Sequence, residues 1–162
     1  MRRFVNVADP GIKRGVTMKS TFHHAGLVVP DLEKADAFYR QFLNLTESFR
    51  LEWDLDNNAD VAKVINLENS AAKAVMLEGS NYRLELFEYS APAQRGNSAD
   101  DRPCDPGIAH IAFDFEDIRE ACEKFKAAGG DLHGDPVQLG NTWAIYGRDP
   151  FGNIVELMQT GA

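Results

Sequence analysis

The residues from His24 onward fit the period of two of an extended chain. Ala25, Leu27 and Val29 share one side of an extended chain, and His24, Gly26 and Val28 share the other. The period then changes. Behind Asp31, a good N-cap, Leu32, Ala35, Phe38, Tyr39 and Phe42 recur at helical spacing. The same strand-then-helix pattern returns from His110. "HAGLVVPDLEKADAFY" and "HIAFDFEDIREACEKF" align so that His24, Asp31, Leu32 and Ala35 become His110, Asp117, Ile118 and Ala121 at one constant offset. In the second copy Asp117 caps, and Ile118, Ala121, Cys122, Phe125 and Ala128 form the stripe. Gly129 and Gly130 end that helix.

After each helix the chain reads as strands. The first copy continues with "ESFRLEW", a polar "DLDNNAD" turn, "VAKVINL", "KAVMLEG" and "YRLELFEY"; "VAKVINL" fits a short helix or a strand equally. The second continues with "PVQLG", "TWAIYGRD", a "DPFGN" turn and "NIVELMQ". The pattern predicts an α+β fold of two βαβββ modules, roughly 20–90 and 107–160. Joining them is the Pro-, Gly- and Ser-rich loop 91–106. Residues 1–17 read as an extension outside the fold, with Met18 as an alternative start.

Four ionisable side chains break the pattern. In "YRLELFEY", Leu84 and Leu86 form one phase, with Arg83, Glu85, Phe87 and Tyr89 on the other. In "NIVELMQ", Val155 and Leu157 oppose Ile154, Glu156 and Met158. His24, Glu85, His110 and Glu156 thus lie on strand faces turned away from their module's helix. An ionisable group among apolar neighbours is costly unless it is paired or coordinated. Each module supplies one His and one Glu. If the two sheets curve toward each other, a mixed nitrogen and oxygen set converges, suited to a divalent transition metal with positions left for substrate. His23 falls on the Ala25 phase and is expected to pack or hydrogen-bond there. His133, beside Gly134 in a loop, is expected to be solvated.

Charge narrows the partners. The 162-residue chain carries a net charge of -8, which argues against nucleic acid or anionic membrane as partner. No apolar run approaches the roughly 20 residues of a membrane span. Two cysteines, Cys104 and Cys122, make no disulfide scaffold, so free thiols and a cytoplasmic protein are expected.

The stretches "HHAGLVVPDLEKADAFY", "RLELFEY", "GIAHIAFDFEDI" and "YGRDPFGNIVEL" resemble the vicinal oxygen chelate superfamily. That family holds glyoxalase I, methylmalonyl-CoA epimerase, extradiol dioxygenases and the fosfomycin- and bleomycin-resistance proteins. The resemblance implies an open cup around one divalent ion (Zn, Ni, Co, Mn or Fe), with His24, Glu85, His110 and Glu156 as ligands. It also implies a small-molecule substrate and a homodimer; relatives pair their modules within one chain or between two. Glutathione-dependent glyoxalases carry Arg and Asn where this chain has Val28 and Tyr89, which argues against a glutathione substrate. The second carboxylate base of the CoA epimerases falls at Ala74, with Glu78 nearby. The extradiol pattern is met at Tyr146, Asp149, Pro150, Gly152 and Glu156. It lacks the expected His near Val137–Leu139, and Glu85 is surplus to it. The leading expectation is a metal-dependent isomerase, epimerase or lyase of glyoxalase type. It would work through an enediolate or enolate, with Glu156, then Glu85, as proton shuttle, and Tyr146, Arg83 and Tyr89 orienting substrate. The alternatives are an Fe(II) extradiol dioxygenase and a sequestering resistance protein.

Overall fold

The computed structural model describes residues 19–95 and 101–161. The expected extension over residues 1–17, Met18 and part of the joining loop lie outside the described residues. The first module runs β1 (Ala25–Val28), α1 (Leu32–Leu43), β2 (Thr46–Trp53), α2 (Ala59–Ile65), β3 (Ala71–Glu78) and β4 (Arg83–Ala91). The second runs β5 (Ile111–Asp114), α3 (Ile118–Ala128), β6 (Asp131–Leu132), β7 (Val137–Leu139), β8 (Thr142–Arg148) and β9 (Ile154–Thr160). Two sheets result, ordered β1-β4-β3-β2 and β5-β9-β8-β6, with β7 also paired to β8. In each, the first strand lies parallel to the last and the other pairings are antiparallel.

The ambiguous "VAKVINL" is helical at its start. Val61 and Ile65, one helical turn apart, pack on Trp53, Ala72 and Ala74, so tertiary burial decides what local pattern left open. In the second module "PVQLG" forms β7 as expected, and a further two-residue strand, β6, precedes it.

Both long helices start as the sequence predicts. Asp31 Oδ1 accepts from the Lys34 N–H at 3.0 Å, and Asp117 Oδ1 accepts from the Arg119 and Glu120 N–H groups at 2.8 and 3.2 Å. A second acceptor reaches each helix start from the last strand of the same module. Glu88 Oε2 takes the Leu32 N–H at 2.7 Å, and Gln159 Oε1 takes the Ile118 N–H at 3.1 Å. These bonds fix each helix over its own sheet. Gly129 closes α3 with φ of 106°, a left-handed conformation that costs glycine nothing.

One apolar core joins the modules. Phe38 and Phe42 of α1 meet Phe125 of α3 edge to face, with ring centroids 5.5 and 4.9 Å apart. The same cluster includes Leu84, Leu86, Val155 and Leu157, so the helices cover the face of each sheet opposite the ionisable residues.

Tyr39 ties α1 to the turn between β8 and β9. Its buried hydroxyl donates to Asp149 Oδ2 at 2.8 Å. Asp149 Oδ1 also accepts from the N–H groups of Phe151 and Asn153, each at 2.9 Å. The "DPFGN" turn is thereby locked. Burial, and then the Asp149 charge and hydrogen bond, hold the Tyr39 phenol well above its ordinary 10.0. The folded pKa is the raised one, so this contribution is complete below pH 10 and is lost as pH rises beyond it, where only the unfolded tyrosine ionises. Urea unfolding from pH 8 to pH 11 is expected to show stability falling above pH 10. Tyr39→Phe is expected to make that fall shallower by about 1.4 kcal/mol per pH unit. An unchanged slope would contradict the assignment.

Candidate metal centre

Strand register brings each histidine to one glutamate. His24 immediately precedes β1, whose parallel register sets Gly26 beside Glu85, the third residue of β4. His24 Nε2 lies 3.1 Å from Glu85 Oε2. The second module repeats the arrangement: His110 precedes β5, Ala112 sits beside Glu156, the third residue of β9, and His110 Nε2 lies 3.0 Å from Glu156 Oε2. The strand neighbours of both glutamates are small, Gly26 and Ala112. The carboxylates are largely covered, and the imidazoles are about one-third exposed.

These separations suit a metal as well as a hydrogen bond. Two ligands at about 2.1 Å on adjacent corners of an octahedron stand about 3.0 Å apart. The donors, imidazole nitrogen with carboxylate oxygen, suit a first-row divalent ion. The two pairs do not meet within the chain: among the described residues no three His, Cys, Asp or Glu side chains gather as a ligand group.

The faces carrying these pairs are largely apolar, apart from the Arg83–Glu78 ion pair on one and Arg148 on the other. Antiparallel register puts Met76, Ala74 and Ala72 of β3 on the Glu85 face, opposite Phe49, Leu51 and Trp53 of β2. Trp53, Phe87 and Tyr89 touch through their rings. On the Glu156 face lie Tyr146, Ala144, Met158, Val137 and Leu139. A cavity of about 200 Å³ beside His110 runs between β1 and β5, touching Gly26, Tyr39, Arg102 and Asp105. Neither Glu85 nor Glu156 lines it.

The expected substrate-orienting residues have distinct settings. Tyr146 stands opposite Glu156, with its hydroxyl 3.2 Å from His110 Nδ1. Burial, and then the Glu156 charge, push its phenol up. Burial and the Glu85 charge do the same to Tyr89. Both therefore remain protonated donors at neutral pH. Arg83 is committed: its Nε and Nη2 donate to Glu78 Oε1 at 3.1 and 2.7 Å. Glu78 is thus held in an ion pair, and Ala74 is buried. Neither offers a free carboxylate on β3. His133 is exposed, and both cysteines are free, Cys104 exposed and Cys122 buried.

Sequence reasoning missed one contact. His23 Nδ1 lies 2.7 Å from His24 Nδ1, and Arg83 Nη1 lies 3.3 Å from His23 Nε2. The "HH" doublet was the available sign, but the strand begins only at Ala25. Strand alternation therefore does not bind the two imidazoles, and their rings meet edge to face at 5.0 Å.

Paired βαβββ modules, each with one His–Glu pair at corresponding strand positions, define a class of duplicated fold with a candidate metal-binding face. The family model of the Glyoxalase/Bleomycin resistance protein/Dioxygenase superfamily matches residues 21–157, and the chain belongs to that superfamily. A 2-epi-5-epi-valiolone epimerase of Actinomyces sp. is 31% identical over 157 residues, covering 92% of this chain and 84% of that protein. A probable lactoylglutathione lyase of Vibrio cholerae is 28% identical over 138 residues, covering 84% and 88%. A glyoxalase family protein of Bacillus cereus shares the fold with a TM-score of 0.79 at 20% identity, covering 91% of this chain and 98% of that one. The fosfomycin resistance protein FosX of Listeria monocytogenes, solved in a mutant form with Mn(II) and 1S,2S-dihydroxypropylphosphonic acid, aligns with a TM-score of 0.59 at 23% identity, covering 88% and 94%. No helix among the described residues is long and apolar enough to cross a membrane.

Proposed function

We propose that this chain is a divalent-metal-dependent epimerase or isomerase acting beside a carbonyl on a small, uncharged, oxygen-rich substrate. The observation that carries the reading is the duplicated His–Glu pair, 24 with 85 and 110 with 156, each spaced like adjacent ligands. A cation there would supply Lewis acidity to a carbonyl and its neighbouring hydroxyl. Glu156 takes the proton from the carbon between them, and solvent water supplies one to the opposite face, with no net redox change. Glu85 holds the other half of the ligand set. The hydroxyls of Tyr146 and Tyr89 stay protonated and can donate to substrate oxygens as charge builds on them.

The substrate class follows from the walls. Phe49, Leu51, Phe87 and Met76 offer no cation to a carboxylate or phosphate, Arg83 is engaged by Glu78, and Arg148 on the Glu156 face is engaged by the Gly152 and Asp101 carbonyls. Val28 and Tyr89, where glutathione-dependent relatives carry polar contacts, agree. The 31% identical relative is named for epimerising 2-epi-5-epi-valiolone, which makes that compound the first candidate substrate.

Two copies of the chain would complete the site. Within one chain the modules touch through α1 and α3, behind the sheets, while both ligand faces stay open. Val28, Phe49 and Leu51 on one face, and Val137 and Leu139 on the other, are 42–66% exposed, more apolar surface than a monomer ordinarily leaves on the rim of a polar site. Laying the Glu85 face of one copy on the Glu156 face of another covers these residues and unites four ligands, twice per dimer.

Protein purified without air is expected to carry about one divalent ion per chain, consistent with two sites in a closed symmetric dimer. It is expected to exchange solvent deuterium into the carbon beside the carbonyl of 2-epi-5-epi-valiolone, without oxygen uptake. Catechol-dependent oxygen uptake would establish ring cleavage instead. Tight binding without exchange would leave sequestration.

A further inference from the structure

His24 is the fourth in a row of five side chains that ends at Glu85. Glu78 Oε1 accepts from Arg83, Arg83 Nη1 reaches His23 Nε2, His23 Nδ1 meets His24 Nδ1, and His24 Nε2 meets Glu85 Oε2. His110 has a shorter version, in which the Tyr146 hydroxyl stands on its Nδ1 and Glu156 on its Nε2. Each candidate ligand therefore has an outer partner on the nitrogen that faces away from the carboxylate. Such partners fix the tautomer and ring angle of a ligating imidazole.

Donor counting gives the row a direction. Arginine only donates, so His23 receives at Nε2 and carries its own proton on Nδ1. That proton goes to His24 Nδ1, and the proton of His24 is then on Nε2, facing Glu85. Coordination through His24 Nε2 needs this nitrogen bare, with the proton on Nδ1. The contact with His23 must then reverse, with His23 accepting where it had donated. An imidazole can do this by moving its proton to its other nitrogen. Arg83 permits the change, because its contact to His23 is the longest of the row at 3.3 Å and its other N–H groups keep Glu78.

We propose that His23 is a positioning residue for His24: through the 2.7 Å Nδ1–Nδ1 contact it holds the ring with Nε2 aimed at Glu85 and switches tautomer when that nitrogen becomes a ligand. The proposal rests on the metal reading of the site but assigns a new role within it. His23 is neither a ligand nor a core residue. Its side chain is exposed, so replacing it leaves the fold intact, and thermal melting of each variant verifies this.

The test is Co(II) affinity by competition with a coloured chelator, with the visible Co(II) spectrum as a second readout. His23→Phe removes both nitrogens and is expected to weaken binding about 10–100-fold and alter the spectrum. His23→Asn keeps an acceptor and a donor near the Nδ1 position and is expected to stay within about threefold of the unmodified protein, the residual loss being that of one altered hydrogen bond. His24→Ala serves as the reference. If it loses Co(II) while His23→Phe binds as tightly as the unmodified protein, or if His23→Asn fails as badly as His23→Phe, the positioning role is wrong and the metal reading stands. If His24→Ala leaves Co(II) binding unchanged, the metal reading itself falls, and the positioning role with it.

Discussion

Glu156→Gln is expected to lower kcat by about 10²–10⁴-fold at saturating metal, the range for loss of a positioned proton-transfer group. Glutamine matches glutamate in shape, and the position is set by strand pairing on both sides. Ala112 flanks it on β5 and Tyr146 on β8, so the fold is kept. What disappears is a group that can hold a proton and a strong oxygen ligand. Running the assay at saturating metal separates the two losses, because weakened coordination is overcome by mass action and a missing base is not. Deuterium exchange beside the carbonyl should fall in parallel with turnover. Glu85→Gln, made at the corresponding position of the first module, is expected to raise the metal requirement more than it lowers kcat. Full turnover by Glu156→Gln, with loss in Glu85→Gln, would exchange the two roles.

His24→Ala and His110→Ala are expected each to abolish metal binding, a loss larger than the about 10–100-fold cost of removing an outer partner. Each substitution removes one candidate ligand nitrogen and leaves its paired glutamate, 14% or 15% exposed, without the partner that offsets its partial burial. Both imidazoles are about one-third exposed, so truncation opens little cavity and the variants should fold. Equilibrium dialysis with Mn(II) or Co(II) measures the effect directly. Retention of metal by either variant would remove that histidine from the ligand set.

The four candidate ligands were legible in the sequence because strand alternation is a strict constraint. A residue next to Leu84 or Val155 on the strand cannot share its neighbour's face, so Glu85 and Glu156 had to oppose the helices. The repeat then paired each glutamate with a histidine. The helix starts were legible for a similar reason, since Asp31 and Asp117 satisfy N–H groups that nothing else in the local chain can reach. Three features were not. "VAKVINL" is apolar in both periods, and its burial on Trp53 decides for helix. The His23–His24 contact lies just outside β1, where no strand pairing fixes which way a side chain turns. Alternation also says which face a residue occupies and not which faces meet. A convergence expected of one curved pair of sheets is therefore divided between two open faces of the chain, with α1 and α3 packed behind them.

That division is the account's central claim, and mixing the two inactive variants tests it. His24→Ala and His110→Ala are unfolded together in equal amounts, refolded as one pool, and assayed for metal binding and turnover. In a mixed dimer built as proposed, one site carries both substitutions and the other carries none. Random pairing should then restore about a quarter of the unmodified activity, from half the dimers with one intact site each. If the four ligands belong to a single chain, every chain in the pool is broken and the mixture remains as inactive as its parts.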